Sequence, residues 1–252
     1  MFGLLFQPHD DLGFKEYHVD GWQLCAILGS GRFATAFRAK KQNETTGEEY
    51  VLKLFDSSDK AECENEYLTL RKLRDEGGVI AIPKPGEWQQ DGSQCFLVVS
   101  PVGREVLPMW GGCETDGRQF RVLVDVLERA HSLGIAHRDV KPDNIFQGGD
   151  EGIILNDWGS SCQIGERTMF VGSMPFCVDG PDIDGMHSPS AETDLKCLVR
   201  SVFAMLTTRY PPLKGCEDFW NKRFFGGSIW SVALEDASNK NYNGLRAKLS
   251  QL

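Results

Sequence analysis

HSLGIAHRDVKPDNIFQGGDEGIILNDWG, residues 131 to 159, is where the chain concentrates its polar chemistry and breaks its periodicity. Just upstream, Phe120, Leu123, Val124, Leu127 and Ala130 recur at helical spacing, and Gly134 ends that pattern. HRDVKPDN follows at 137–144. Its Pro142 forbids a helix through the run, because proline lacks an amide donor and crowds the preceding turn. Two short apolar runs, Ile145-Phe146 and Gly152 to Leu155, then lead to DWG at 157–159.

Working outward toward the N-terminus, WQLCAILGSGRFATAFRAK reads as two strands joined by a Gly-rich turn, with NETTG as the next turn and EEYVLKLF as a third strand. Residues 59 to 75 change period: Ala61, Tyr67, Leu68, Leu70 and Leu73 fit an amphipathic helix ending before Gly77-Gly78. The segments 79–82 and 94–100 read as further strands, the second closed by Pro101. Five antiparallel strands and one helix are the expected N-terminal lobe. Residues 1 to about 18 read as an extension packed through Phe2, Leu4, Leu5 and Phe6.

Toward the C-terminus, residues 160–190 read as irregular. AETDLKCLVRSVFAMLT then forms a helix with Leu195, Leu198, Val199, Val202, Phe203 and Leu206 on its apolar side, stopped by Pro211 and Pro212. The last stretch holds Phe219, Trp220, Phe224, Phe225 and Trp230, with a helix in the final residues. The 252 residues are 41% hydrophobic, enough for a substantial core. With 36 acidic against 27 basic residues the net charge is -9, which argues against an extended nucleic-acid surface. Eight cysteines without a CxxC read as reduced thiols. MFGLLFQPHDD lacks the basic start of a signal peptide, and no apolar run reaches membrane length. The expectation is a protein inside the cell, cytoplasmic or nuclear.

HRDVKPDN with DWG thirteen residues after Asn144, a Gly-rich turn upstream and a strand-borne lysine resemble the eukaryotic protein kinase family over roughly residues 20 to 210. That resemblance implies an α+β, bilobal fold: an N-lobe over residues 1–101 and a mainly helical, reduced C-lobe over 102–252, in one domain. It implies ATP with Mg2+ or Mn2+, a protein substrate, and room for a regulatory protein partner. Asp139 corresponds to the catalytic base and Lys141 to the cation that meets the transferring phosphoryl group, while Asn144 and Asp157 correspond to the metal ligands. Lys141 within HRDVKPDN is similar to the Ser/Thr-directed pattern rather than the tyrosine-directed one.

Leu28, Gly29, Ser30, Gly31, Arg32, Phe33 and Ala36 match the Gly-rich loop, with Ala34 where a third glycine often stands; alone, GSG reads equally well as a plain hairpin turn. Lys53 matches the phosphate-binding lysine. Glu66 in ENEYLTL is the expected carboxylate partner, with Glu62 on the same helical face and Glu64 as a weaker alternative. Val51 joins Leu28 and Ala36 against adenine, Val99 stands at the gatekeeper position, and the Ser100 carbonyl and Val102 amide match the hinge contacts that Pro101 cannot supply. His131 and His137 read as packing or hydrogen-bonded structural histidines.

Two features depart from the family pattern. VGSMPFCVDG puts Asp179 and Gly180 where Pro and Glu of the Ala-Pro-Glu motif stand, which predicts that the arginine normally binding that carboxylate is absent too. Asp194 resembles the start of the central C-lobe helix, leaving 58 residues for later helices. Arg138 resembles the arginine that binds a phosphorylated activation segment, with Thr168 preferred as acceptor over Ser160, Ser161 and Ser173. The competing function is a pseudokinase, an ATP-binding protein-interaction module, which the missing Ala-Pro-Glu match and the short C-lobe motivate; exposed aromatic area around 219–230 would favour a partner-binding role in addition.

Overall fold

The computed structural model describes residues 17–91, 94–106, 117–148, 152–177, 180–221 and 228–252. The expected packing of Phe2, Leu4, Leu5 and Phe6 lies outside them. The N-lobe is built from β1 (Tyr17–Val19), β2 (Trp22–Ser30), β3 (Ala34–Lys41), β4 (Tyr50–Phe55), α1 (Lys60–Asp75), β5 (Lys84–Asp91) and β6 (Gln94–Ser100). Its antiparallel sheet runs in the order β1-β2-β3-β4-β6-β5, six strands against the five expected. The added strand is the edge strand β1, which pairs Tyr17–Val19 with Leu24–Trp22 inside the stretch read as an extension.

The segment 79–82 is not a strand. Val79, Ala81 and Ile82 are buried as a linker against the C-lobe, and the strand begins later, at Lys84, on the sheet edge, where Pro85 is tolerated and a register shift follows it. Helix α1 occupies the expected residues but buries a different stripe. Cys63, Glu66, Thr69, Leu70 and Leu73 face inward while Leu68 is exposed, so a carboxylate sits in the middle of an apolar face.

The C-lobe continues with β7 (Arg104–Glu105), α2 (Arg121–Ser132), β8 (Ile135–Ala136), β9 (Ile145–Gln147), β10 (Ile153–Leu155), β11 (Cys162–Gln163), β12 (Thr168–Met169), β13 (Met186–His187), α3 (Ala191–Thr207), α4 (Cys216–Asn221), α5 (Ile229–Ser238) and α6 (Tyr242–Leu249). The five expected apolar positions of Phe120 to Ala130 are all buried, and α2 ends just before Gly134, whose φ of 75° suits a residue without Cβ. The Ser190 hydroxyl caps α3 by accepting from the Thr193 amide at 3.1 Å. Strands β9 and β10 pair Ile145 with Leu155 as a hairpin, which carries the chain from the HRDVKPDN loop back to DWG.

One apolar cluster runs from Phe55 and the inner stripe of α1 through α2 and α3 to α5 and α6, and a smaller one of Trp22, Ala39, Leu52, Phe96 and Val98 covers the outer face of the sheet. Trp220 and Trp230 belong to the large cluster. Trp230 meets Phe203 edge-on at 5.2 Å, so these two rings cover the lobe as core and offer no exposed aromatic surface; Phe224 and Phe225 lie outside the described residues.

Candidate active site between the lobes

Strand β4 lies between β3 and β6, and its register sets Lys53 beside Ala36 and Leu97. The side chain is buried, with Nζ 2.6 Å from Glu66 Oε1 and 3.2 Å from Asp157 Oδ1. Burial alone would depress the Lys53 ammonium, but Glu66 and then Asp157 outweigh it and hold it above the ordinary lysine value. Lys53 in turn is the largest influence on Asp157, whose carboxyl is held below the usual range. Neither Glu62 nor Glu64 takes the place of Glu66: Glu66 is the buried acid of α1.

Above this pair, the Gly31 amide donates to the Ala34 carbonyl at 2.8 Å and closes the turn between β2 and β3. A Cβ added at Gly29 would meet nothing within 4 Å, and one at Gly31 would come no nearer than 3.7 Å, to the Ala34 carbonyl. The fold itself therefore does not require glycine at either position, and what the missing Cβ atoms leave is open backbone. Ser30 and Arg32 are exposed, and Phe33 is half-buried against the core. Leu28, Ala36 and Val51 are half-buried, Val99 is buried and paired with Val51 in register, and Ser100 and Val102 follow half-buried at the end of β6.

In the HRDVKPDN loop Asp139 accepts from the Ser173 amide at 3.0 Å through Oδ1. Through Oδ2 it accepts from Lys141 Nζ at 2.7 Å and from Asn144 Nδ2 at 3.3 Å. Asn144 Nδ2 also donates to the Asp139 carbonyl at 2.8 Å, which fixes its amide and leaves Oδ1 as the acceptor. Lys141 reaches the Ser173 hydroxyl at 3.1 Å. The Asn156 amide donates to the Asn144 carbonyl at 2.8 Å, so the hairpin sets Asp157 alongside the loop.

The loop is fastened from below. Arg138 holds a left-handed φ of 76°, an unfavourable conformation for a residue with a Cβ. The buried Asp194 of α3 holds it there, accepting from the His137 amide at 2.7 Å and the Arg138 amide at 2.9 Å. Asp194 also accepts from His131 Nε2 at 3.1 Å, and Tyr242 Oη lies 2.8 Å from Nδ1 of that histidine. Burial alone would raise the Asp194 carboxyl; the bond from His131 leads the contacts that outweigh it and hold it low. His137 is fully buried, donating from Nε2 to the Asn156 carbonyl at 2.9 Å, and Trp158 packs edge-on against it at 4.5 Å. Both histidines are structural, as their places in the sequence suggested.

A family model for the protein kinase domain matches residues 22–215. The chain belongs to the protein kinase domain family. The kinase domain is 25% identical over 228 residues to cAMP-dependent protein kinase catalytic subunit 3 of Drosophila melanogaster, covering 85% of this chain and 36% of that protein. It is 27% identical over 150 residues to serine/threonine-protein kinase H1 of Homo sapiens, covering 55% of this chain and 34% of the relative. It is 24% identical over 222 residues to serine/threonine-protein kinase grp of Drosophila melanogaster, covering 81% of this chain and 42% of the relative. The matches thus span well under half the length of these relatives. The Lys53–Glu66 ion pair of this kinase domain is typical of catalytically competent Ser/Thr kinases. The family generally uses ATP with Mg2+ and acts on protein substrates. No described helix is long and apolar enough to cross a membrane.

Several contacts in the kinase domain escaped the sequence reading. Ser173, read as a possible phosphate acceptor and, with Gly172, as the start of the segment that ordinarily ends in Ala-Pro-Glu, touches both Asp139 and Lys141. Arg138 donates to the Ser160 carbonyl at 3.0 Å and also to the Met169 carbonyl. Thr168 stands in β12, paired with His187. Arg200 of α3, on the central helix and not the later one the expectation concerned, donates to the carbonyls of Phe176 and Cys177 and stacks on Trp220 at 5.0 Å, while Asp179 lies outside the described residues. Polar contacts to backbone carbonyls leave no motif, so spacing could not reveal them.

Proposed function

We propose that this kinase domain transfers the γ-phosphoryl group of ATP to a Ser or Thr hydroxyl of a protein substrate, with Mg2+ or Mn2+ as the metal. The observation that carries this reading is that Lys53, Glu66 and Asp157 on one side and Asp139, Lys141 and Asn144 on the other each form a connected polar cluster, joined by one short hairpin. No chemical role is vacant.

The open backbone at Gly29 and Gly31 suits the close approach of phosphate oxygens, with Ser30, Arg32 and Phe33 at the tip of the turn. Lys53 would hold the α- and β-phosphates, its ammonium kept charged and aimed by Glu66. Leu28, Ala36, Val51 and Val99 suit the adenine face, with the Ser100 carbonyl and Val102 amide on its polar edge. Among the described residues no three His, Cys, Asp or Glu side chains converge as a metal site. Asn144 Oδ1 and the half-exposed Asp157 carboxylate instead fit an ion that takes its other ligands from phosphate and water. Such an ion would supply charge neutralisation of the phosphates.

Asp139 would accept the proton of the substrate hydroxyl, and Lys141 would meet the charge that develops on the phosphoryl oxygens. The seven described free cysteines support a reducing compartment, cytoplasm or nucleus. The test is transfer from labelled ATP to a Ser/Thr peptide array with each metal in turn. Asp139→Asn is expected to lose about 10²- to 10⁴-fold in turnover while still binding nucleotide. Full turnover in that variant would remove Asp139 from the role.

A further inference from the structure

Asn65 directly precedes Glu66 on α1 and faces a different neighbour. Its Nδ2 carries two hydrogens, and two carbonyls receive them: Gly159 O and Ser161 O, each at 2.9 Å. The carbonyl between these, Ser160 O, is bound by Arg138 from the catalytic loop. Three successive carbonyls after Asp157 are thus held by side chains from both lobes. One helical turn beyond Asn65, the Thr69 hydroxyl lies 2.9 Å from the hydroxyl of the buried Ser161, whose amide closes the turn onto Trp158 O at 3.0 Å.

We infer that Asn65 is a positioning residue that couples the helix carrying Glu66 to the turn carrying Asp157, so that the two carboxylates sharing Lys53 are set as one unit. The inference rests on the proposed role of Asp157 in holding metal and nucleotide. The chemistry selects asparagine: two donors on one short side chain span two carbonyls, whereas an aspartate of the same shape offers none and faces both oxygens with negative charge. Beside the carbonyls it binds stand the Glu66 carboxylate and the Glu62 carbonyl, near Gly159, and Arg138 on Ser160 O; Lys53 and through it Asp157 pair with that Glu66 carboxylate.

The experiment compares wild type, Asn65→Asp and Asn65→Ala by hydrogen exchange at the Ser161 amide and by Mg-ATP affinity across pH. Asn65→Asp is expected to speed Ser161 exchange and weaken affinity about thirtyfold at neutral pH, the weight of the two bonds to Gly159 O and Ser161 O that a carboxylate cannot make. Its deficit should narrow toward acid pH, where the new carboxyl gains a proton and donates again; Asn65→Ala should be weak at every pH. Thr69→Val, which keeps its shape, should move both readouts the same way by less. Unchanged Ser161 exchange in Asn65→Asp would overturn the inference, as would an affinity deficit that does not respond to pH. If wild type binds no Mg-ATP, the nucleotide reading falls, and Ser161 exchange alone still decides the coupling.

Discussion

Lys53 carries its ammonium to a point where two carboxylates meet it, one buried and one half-exposed. Replacing it by methionine leaves Glu66 in an apolar stripe with its cation gone, and breaking a buried pair in this way costs about 3–5 kcal/mol. Chemical denaturation of Lys53→Met should therefore show a marked loss of stability, larger than for Lys141→Met, whose amine is more exposed. The same substitution acts on Asp157, because Lys53 is the main influence holding that carboxyl below its usual 3.8. A depressed folded value means the contribution of Asp157 to stability is present above 3.8 and is lost as pH falls through the lower folded value. Without Lys53 the folded carboxyl should titrate at higher pH. Carbon-detected NMR of the Asp157 carboxyl in wild type and Lys53→Met tests this; equal midpoints would mean that Lys53 does not set the charge of Asp157.

At the scale of elements, α3 acts on the HRDVKPDN loop through one buried carboxylate, and α6 acts on that carboxylate through a histidine. Asp194→Asn should weaken transfer and stability more than Tyr242→Phe, because Asp194 serves three donors and offsets a left-handed Arg138, whereas Tyr242 gives up a single neutral bond of about 1 kcal/mol. Thermal melts and turnover of the two variants rank them; the reverse order would show that α6 and not α3 anchors the loop. The contrast marks what the sequence could tell. That Asp139, Lys141 and Asn144 group in one loop with Asp157 across a hairpin was legible because a short loop and hairpin fix their order, while their roles rest on the family resemblance; α2 was legible because its apolar period is clean. Glu66 was legible only by analogy, since α1 buries an acid where periodicity expects a hydrophobe. The Tyr242–His131 contact joins residues 111 positions apart, Asn65 meets carbonyls that have no identity in a sequence, and β1 is an edge strand of three residues with too little alternation to detect.

On the scale of the whole molecule, the large apolar cluster does not stop at the boundary between lobes. It passes from α1 through Val79, Ala81 and Ile82 to Ile153 and Leu155, and the Leu155 amide donates to the Ala81 carbonyl at 3.0 Å. Arg129 of α2 adds a polar tie, donating from Nε to Gly77 O at 2.9 Å and from Nη2 to Glu76 O at 3.0 Å, where α1 leaves its last carbonyls open. The C-terminal end of α1 is therefore anchored on the C-lobe, while the smaller cluster on the outer face of the sheet has no share in that anchor. A cation at a helix C-terminus stabilises by up to about 1 kcal/mol when exposed, as Arg129 is. Arg129→Leu should then lower Tm by about 2–4 °C and speed amide exchange in the last turn of α1, leaving β2 and β3 as they were. Because one core serves both lobes, calorimetry should still record a single transition in that variant. Two resolved transitions would mean that the lobes fold independently and that the shared core carries less of the coupling than its continuity indicates.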